Sequence, residues 1–468
     1  MRLYLINPHN PFGSVAKMKE SRWNKYRIWK PLGLLILAGL TPPEWEITVI
    51  DENLGIPDYW GLEKPDLVGV TAFTSQAKRA YEIAAIFRKS GTKVIMGGIH
   101  ATMCTDEALR YVDSILTGEA ESIWTQVLED TRADQLKPIY RGIHLDMDKI
   151  PPARHDLLPS GYRFGSIQIS RGCPLNCSFC SVTAFNGGKY RARPVARIIE
   201  ELKQIKEDYV LIVDDNLIGT RKEHIERAKE IFRAMIREKV NKKWCTQVTL
   251  NMADDEELLR LAAKSGCFGV YIGFESSNRE GLEEVNKKFN IIMIKKFKDM
   301  VRRIQRHGIL IIGSFIMGLD VDQKGIGRQI AENSSEYGID ILNLCYLTPL
   351  PGTRLWNDLQ ASDRIAANNF PDDWIYYTFT FPVAKYKNLS WEEMIRENYE
   401  CNSDFYSYRN IIRRVGKNLL LLRNPFITLA INLSYRNNAV TNFFGKFEDL
   451  NFSRGRSVAA AEADLTSN

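Results

Sequence analysis

Arg171-Gly172-Cys173-Pro174-Leu175-Asn176-Cys177-Ser178-Phe179-Cys180 places three cysteines at CxxxCxxC spacing, directly after a run, Ser166–Ser170, that reads as a β-strand. Three thiolates on one short loop suit a cubane iron–sulfur cluster, because soft sulfur ligands favour such sites. A cluster ligated wholly by protein needs a fourth cysteine, and none lies nearby. One iron would then stay open to a small molecule. The plainer readings are a zinc site or three ordinary thiols. Structural zinc normally closes with four ligands at paired spacings, and the chain has no second CxxC and no HxxxH. Buried cysteines are common as small hydrophobes, but three at this spacing in a Gly- and Pro-containing loop are not.

Outward from this loop the chain alternates strand and helix patterns. Strands are expected at Ser166–Ser170, Tyr209–Asp214, Cys245–Leu250, Gly269–Phe274, Leu310–Phe315 and Leu342–Thr348, with helices near 195–207, 222–238, 254–264, 292–307 and 322–336. Six β/α units over residues 166–370 suggest a partial or full (β/α) barrel, whose chemistry sits at the carboxyl ends of its strands. Upstream, residues 1–131 show a second alternating series, with strands at Leu3–Asn7, Glu46–Asp51, Leu67–Ala72, Lys93–Gly97 and Ser114–Thr117. Between them lie helical segments such as Gln76–Lys89. That pattern predicts a Rossmann-like, doubly wound parallel sheet, which binds ligands over its strand ends. Residues 132–165, marked by Pro138, Pro151-Pro152 and Pro159, read as a linker. Residues 371–452 read as a mostly helical region, and 453–468, small and polar, as a disordered tail. The fold class is α/β throughout, and no internal repeat is present.

The bulk properties agree. At 468 residues two or three domains are expected, and 44% hydrophobic with 26% charged residues is an ordinary globular balance. The amino terminus lacks a basic start and a long apolar stretch, so secretion is not expected. No apolar run approaches the ~18 residues of a membrane span; Leu419–Leu433 is interrupted by Arg423, Asn424 and Pro425. Eight unevenly spaced cysteines do not make a disulfide framework, so a reducing cytoplasm is the expected compartment. The net charge of +6 is mild but uneven, with seven Lys or Arg and no Asp or Glu between Phe405 and Phe447.

The CxxxCxxC loop on a barrel strand resembles the radical S-adenosylmethionine (SAM) superfamily, and the resemblance covers roughly residues 166–370. In that family the open iron of a [4Fe-4S] cluster chelates SAM. The resemblance implies cluster ligation by Cys173, Cys177 and Cys180. It also implies SAM contacts at Phe179, at Asp214, Asp215 and Asn216 (methionine amine), at Glu275 and Ser276 (ribose), and in the Gly313–Gly318 stretch (adenosine), beginning with Gly313. Leu347–Thr353 closes the sixth unit. Physical chemistry supports these roles independently: a carboxylate accepts charge-assisted hydrogen bonds from an ammonium or sugar hydroxyls, and glycine admits a flat ring close to backbone. Each motif alone also reads as a turn or a helix cap.

Residues 1–131 resemble the cobalamin-binding domain that precedes the barrel in one radical SAM subgroup. The implied cobalamin contacts are Asn7 and His9 after the first strand, Thr71, Thr74 and Ser75 after the third, Gly97, Gly98 and His100 after the fourth, and Gly118 and Glu119 after the fifth. One departure from the pattern concerns cobalt. Corrinoid domains that ligate it carry DxHxxG, whereas Asn7-Pro-His9-Asn-Pro-Phe-Gly13 has Asn for Asp and its glycine one position late. For both histidines the plain alternative is a hydrogen-bonded loop residue.

The resemblance implies a 5′-deoxyadenosyl radical that abstracts hydrogen from an unactivated carbon, and a cobalt-borne methyl group delivered to that carbon. The alternatives are a cobalamin-dependent oxidative cyclase or rearrangement enzyme without methyl transfer, and a corrinoid-sensing regulator. Methylthiolation lacks its amino-terminal cysteine set, since only Cys104 precedes Cys173. The expected partners are a small-molecule or lipid-like substrate and an external one-electron donor such as flavodoxin or ferredoxin. Lys17–Lys30 interleaves Trp23, Tyr26 and Trp29 with basic residues, a pattern that can bind nucleic acid but equally covers a corrin face or a substrate, and no nucleic-acid partner is expected. In Tyr408–Leu422, Arg409, Arg413 and Lys417 recur at helical spacing beside Ile412, Val415 and Leu419. That pattern fits either a helix packed on the barrel or one lying on an anionic membrane surface.

Overall fold

The computed structural model describes residues 1–10, 12, 30–158, 161–420, 425–437, 440 and 443–460. Most of the aromatic–basic run (17–29), Pro11, Gly13, Pro159 and residues 461–468 lie outside the described residues. The chain divides into two units. Met1–Gly172, Ser181–Val213 and Asn369–Ile375 form one, and Cys173–Cys180, Asp214–Asn368 and Tyr376–Asn468 form the other.

The first unit is built on six parallel strands: β1 (Arg2–Asn7), β2 (Glu46–Asp51), β3 (Leu67–Thr71), β4 (Lys93–Gly97), β5 (Ser114–Thr117) and β6 (Ile139–Arg141). Their order is β2-β1-β3-β4-β5-β6, so the winding reverses between β1 and β3. That reversal is the switch point at which doubly wound sheets hold ligands. Leu3, Leu5, Ile6, Leu67, Val68, Val94 and Ile95 are buried, because helices cover both faces of a parallel sheet. The helix Ala77–Lys89 buries Ala80, Ile83, Ala84 and Phe87 at the expected spacing.

The expected linker is instead part of this unit. Ile139–Arg141 adds a sixth strand beside β5, and Tyr140, Met147, Ile150, Ala153, Leu158 and Tyr162 enter its core. The prolines obscured this: Pro138 stands just before an edge strand, where its missing N–H is tolerated, and apolar residues between the others supply the packing.

The second series begins in the first unit with β7 (Gly165–Ile167), a short antiparallel pair of β8 (Ser170–Arg171) and β9 (Arg191–Ala192), and β10 (Tyr209–Ile212), which pairs in parallel with β7. It continues in the second unit with β11 (Lys243–Gln247), β12 (Cys267–Glu275), β13 (Leu310–Met317) and β14 (Ile341–Tyr346). These four are successive parallel neighbours. Strands β7 and β10–β14 are the six strands of a partial (β/α)6 barrel, and helices dominate the C-terminal part. There, a capping box of Ser390 and Glu393 starts the helix Trp391–Phe405.

The tail expected to be disordered is ordered through residue 460. Val458 N and Ala459 N donate to the carbonyls of Tyr386 and Lys387, each at 2.9 Å. A Cβ at Gly455 would lie 2.1 Å from Trp391 Cγ, so the small residue lets the backbone lie against the indole. Among the described residues no helix is long and apolar enough to cross a membrane.

Candidate active site

The cysteine loop leaves β8 at Gly172, whose φ of +87° and Cβ position 2.3 Å from Lys189 O exclude any side chain. Within the second unit the loop is held by main-chain contacts. Ser178 N donates to Val285 O (3.1 Å), Leu355 N to Ser178 O (3.0 Å), and the Asn286 and Arg354 side chains both donate to Asn176 O. Cys180 N donates to Cys177 O. Cys177 is buried, Cys173, Phe179 and Cys180 are half-buried, and none of the eight cysteines is in a disulfide. Among the described residues no three His, Cys, Asp or Glu side chains are drawn together as a preassembled metal site.

Against this loop lies a residue that the sequence did not reveal. Lys287 is buried, and its Nζ is 2.7 Å from Glu275 Oε1. Burial alone would lower the lysine pKa, but the Glu275 carboxylate and the Cys177 and Cys180 thiolates outweigh it and keep the ammonium charged. Burial raises the Cys173 and Cys177 thiol pKa values, while the Lys287 charge pulls them down. Glu275 itself has φ +64°, a left-handed conformation that costs a non-glycine residue about 1–2 kcal/mol. A Cβ at Gly273 would sit 2.2 Å from Glu275 Oε1 and 3.2 Å from Lys287 Nζ. Glycine at that position therefore lets the carboxylate fold back onto its own strand. Asn290 secures the turn by donating to the carbonyls of Gly273 (2.8 Å) and Phe274 (3.0 Å).

The remaining expected SAM residues separate into exposed and enclosed. Asp214 and Asn216 are buried, with Asn216 Nδ2 3.3 Å from Thr249 Oγ1. Asp215 is half-buried, and its charge reaches Cys173. Ser276 Oγ accepts from Asn278 N at 3.1 Å. At Gly313 a Cβ would meet Ile339 Cδ1 at 2.6 Å, so the lack of a side chain there serves packing against Ile339. One more polar layer was missed. Asn343 Nδ2 donates to Tyr271 Oη and lies 3.3 Å from Ser314 Oγ and 3.1 Å from Cys345 Sγ, joining β12, β13 and β14. These residues are scattered over 75 positions of sequence, and only strand register (Ser314 opposite Asn343) assembles them.

In the first unit the expected cobalamin residues all lie at strand ends, but several are already engaged. Asn7 Nδ2 donates to Asp51 Oδ1 at 2.9 Å. The His9 ring is 3.5 Å from Glu52, a fully buried carboxylate also bound by Arg79 at 2.7 Å. Burial pushes Glu52 up, but His9 and Arg79 outweigh it and hold it at about 2. His9 is thus tied to protein through Glu52. His100 is fully buried, with Nε2 2.9 Å from Tyr81 Oη and its ring edge-on to Trp374. Glu119 accepts from Arg191 (2.5 Å) and Leu145 N (2.8 Å) and pairs with Arg171 (3.4 Å). These side chains hold the loops rather than reach outward. What remains open at the switch point is backbone and aromatic surface: Phe73 is 61% exposed, Thr71, Ser75, Gly97, Gly98 and Gly118 are half-buried, and Thr74 is buried. Thr102 Oγ1 ties Gly98 O (2.9 Å) to Gly118 N (3.1 Å).

The residues fit the groups that such a fold implies. The cysteine loop offers three soft donors and a buried cation to offset their charge, Asp215 offers a carboxylate beside them, and the first sheet offers glycine backbone and an uncovered aromatic to a large planar cofactor. A cysteine triplet on a partial (β/α)6 barrel defines a radical SAM protein.

The comparisons extend that class. The sequence model of the radical SAM superfamily matches residues 167–325, and that of the B12 binding domain matches residues 25–128. Bacteriochlorophyllide d C-12(1)-methyltransferase of Chlorobaculum tepidum is 28% identical over 406 residues, covering 83% of this chain and 85% of that one. Hopanoid C-2 methylase of Rhodopseudomonas palustris is 28% identical over 345 residues, covering 72% and 65%. Among solved structures, the cobalamin-dependent S-adenosylmethionine radical enzyme OxsB superposes with a TM-score of 0.68 at 15% identity, covering 100% of this chain and 75% of that one. The chain belongs to the cobalamin-binding branch of the radical SAM superfamily. It is an enzyme whose cofactors are a [4Fe-4S] cluster, SAM and cobalamin.

Proposed function

We propose that the chain methylates an unactivated carbon of a bulky, largely apolar small molecule. When bound, the three cofactors supply a 5′-deoxyadenosyl radical that removes hydrogen from that carbon and a methyl group that takes its place. The observation that carries the reading is the single constellation of the cysteine triplet, Asp215 and the buried Glu275–Lys287 pair. In it, Cys173, Cys177 and Cys180 hold the cluster, and Lys287 offsets thiolate charge in a site where burial disfavours it. Asp215 accepts from the SAM ammonium, and Glu275 and Ser276 form the polar rim at the end of β12. The strand-end loops of the first sheet, with Phe73, Gly97 and Gly98, cradle the corrin through backbone and ring surface, with His9 and His100 as supports. The two methyltransferase relatives are named for a bacteriochlorophyllide and a hopanoid, both large apolar molecules, which supports the substrate class. An external one-electron donor of the flavodoxin or ferredoxin type completes the system.

The test is anaerobic turnover with trideuteromethyl-labelled SAM and a solvent extract of the source cells. Methyl transfer gives 5′-deoxyadenosine and S-adenosylhomocysteine together, with the label in one extract component. Formation of 5′-deoxyadenosine without S-adenosylhomocysteine would replace methyl transfer with oxidative cyclisation or rearrangement. Neither product, from protein with its full iron and corrinoid content, would overturn the reading.

A further inference from the structure

Two helices near the C-terminus, Tyr408–Leu420 and Pro425–Arg436, pack as an antiparallel hairpin. Their seam is polar and closed: Arg414 Nη2 is 2.8 Å from Asn432 Oδ1, and Asn418 Nδ2 is 2.8 Å from Thr428 Oγ1. Asn432 Nδ2 also donates to Asp340 O (3.1 Å), anchoring the second helix to the barrel. The opposite surfaces are apolar and uncovered. Ile412 is 70%, Leu419 61% and Phe426 79% exposed, and Tyr408, Leu429 and Leu433 are exposed beside them. With roughly 100° of turn per residue and antiparallel helices, both rows lie roughly 110–130° from their seams and face the same side of the hairpin. A soluble surface scatters such residues singly; here six form one face.

The charges around that face have one sign. Arg409 borders the apolar row of the first helix, and Arg436 stacks on Tyr408 with 4.2 Å to the ring centroid, whereas Arg413 and Lys417 turn away from the row, Lys417 Nζ lying against Gly338. From Phe405 to Phe447 there is no Asp or Glu among seven Lys or Arg. A second copy of the same face would bring like charges together, whereas an anionic surface complements them. An apolar stripe flanked by basic residues, with an aromatic at its edge, is the pattern of a helix lying in a membrane interface.

We propose that this hairpin docks the enzyme on an anionic phospholipid bilayer. Its apolar rows enter the boundary between headgroups and acyl chains, and Arg409 and Arg436 at their edge meet the phosphates. The inner face of the second helix lies on the barrel, with half-buried Tyr435 stacked on Tyr406 and close to Cys345 of β14. Docking therefore brings barrel and bilayer together at an element that touches a barrel strand.

The experiment is flotation of the full chain with phosphatidylcholine vesicles containing phosphatidylglycerol, against phosphatidylcholine alone, at low and high salt. The expected result is binding tighter to the anionic vesicles by about tenfold or more, lost as salt rises. Ile412→Asp/Phe426→Asp/Leu433→Asp should abolish it. All three positions are exposed, so the variant should keep its thermal transition and iron content. Equal flotation of this variant would place membrane binding elsewhere and overturn the inference. So would failure of the wild type to float, whether or not light scattering then shows a dimer that the same substitutions dissolve. Vesicle binding requires neither SAM nor corrinoid, so absence of methyl transfer would not bear on it.

Discussion

The two sets of strand-end loops solve opposite problems. In the first unit several strand-end side chains are engaged before any ligand arrives: Asn7 by Asp51, His9 and Arg79 by Glu52, and Glu119 by Arg191 and Arg171. In the second unit the charged groups are held in costly states. Two thiols are pushed up by burial, a lysine is buried beside them, and Glu275 occupies a left-handed backbone. Asp322, which accepts from Gly318 N and Leu319 N after β13, has its pKa raised by burial to about 7 despite those bonds. A scaffold that binds a large cofactor through backbone and ring surface gains from rigidity. A site that must carry charge out of water stores an imbalance for its ligand to relieve.

The largest expected effect breaks the comparison most directly. Replacing Cys173, Cys177 and Cys180 by alanine should reduce iron from about four per chain to none and end 5′-deoxyadenosine formation, while corrinoid content stays at wild-type level. Loss of corrinoid in the same variant would show that the two regions are not independent. Next, Lys287→Met leaves Glu275 buried without its cation and should cost about 3–5 kcal/mol in urea unfolding of the cluster-free protein. Adding Glu275→Gln should restore more than half, and no recovery would mean that the pair is not the source of the loss.

Asp322 gives a smaller, pH-dependent effect. Its folded pKa lies above the ordinary carboxylate value, so the folded state holds a proton that the unfolded chain has released. Its stabilising contribution is present in acid and is lost as pH rises from about 4 towards about 7. Melting temperatures between pH 5 and 8 should fall with pH, and Asp322→Asn should flatten that dependence. The smallest effect is expected in the first unit. Because His9 is committed to Glu52, His9→Ala should leave corrinoid content and its absorption spectrum unchanged. A spectral shift would show that His9 leaves Glu52 for cobalt and would make the first region resemble the second.

Much of this was legible without coordinates where the signal is local. The spacing Cys173–Cys177–Cys180 and the alternation of strand and helix patterns give each element a face or a period that reads directly along the chain. Legibility failed in three kinds of place. The prolines of 138–159 imitated a linker although the apolar residues among them complete a core. The sequence does not show that the side of Gly313 where a Cβ would stand is filled by Ile339 from a neighbouring loop. Among Asp214, Asp215 and Asn216, composition could not say that the middle residue is the one left partly open beside Cys173.

The sequence by itself determined the cofactor chemistry and the fold class, because cysteine spacing and hydrophobic period are properties of a short, continuous stretch. Only the tertiary structure decided that Lys287 partners Glu275, that the cobalamin-side histidines are engaged, and that two apolar helix faces near the C-terminus share one uncovered side. Burial and charge pairing depend on which distant segments exclude water from one another, and a linear pattern carries no record of that.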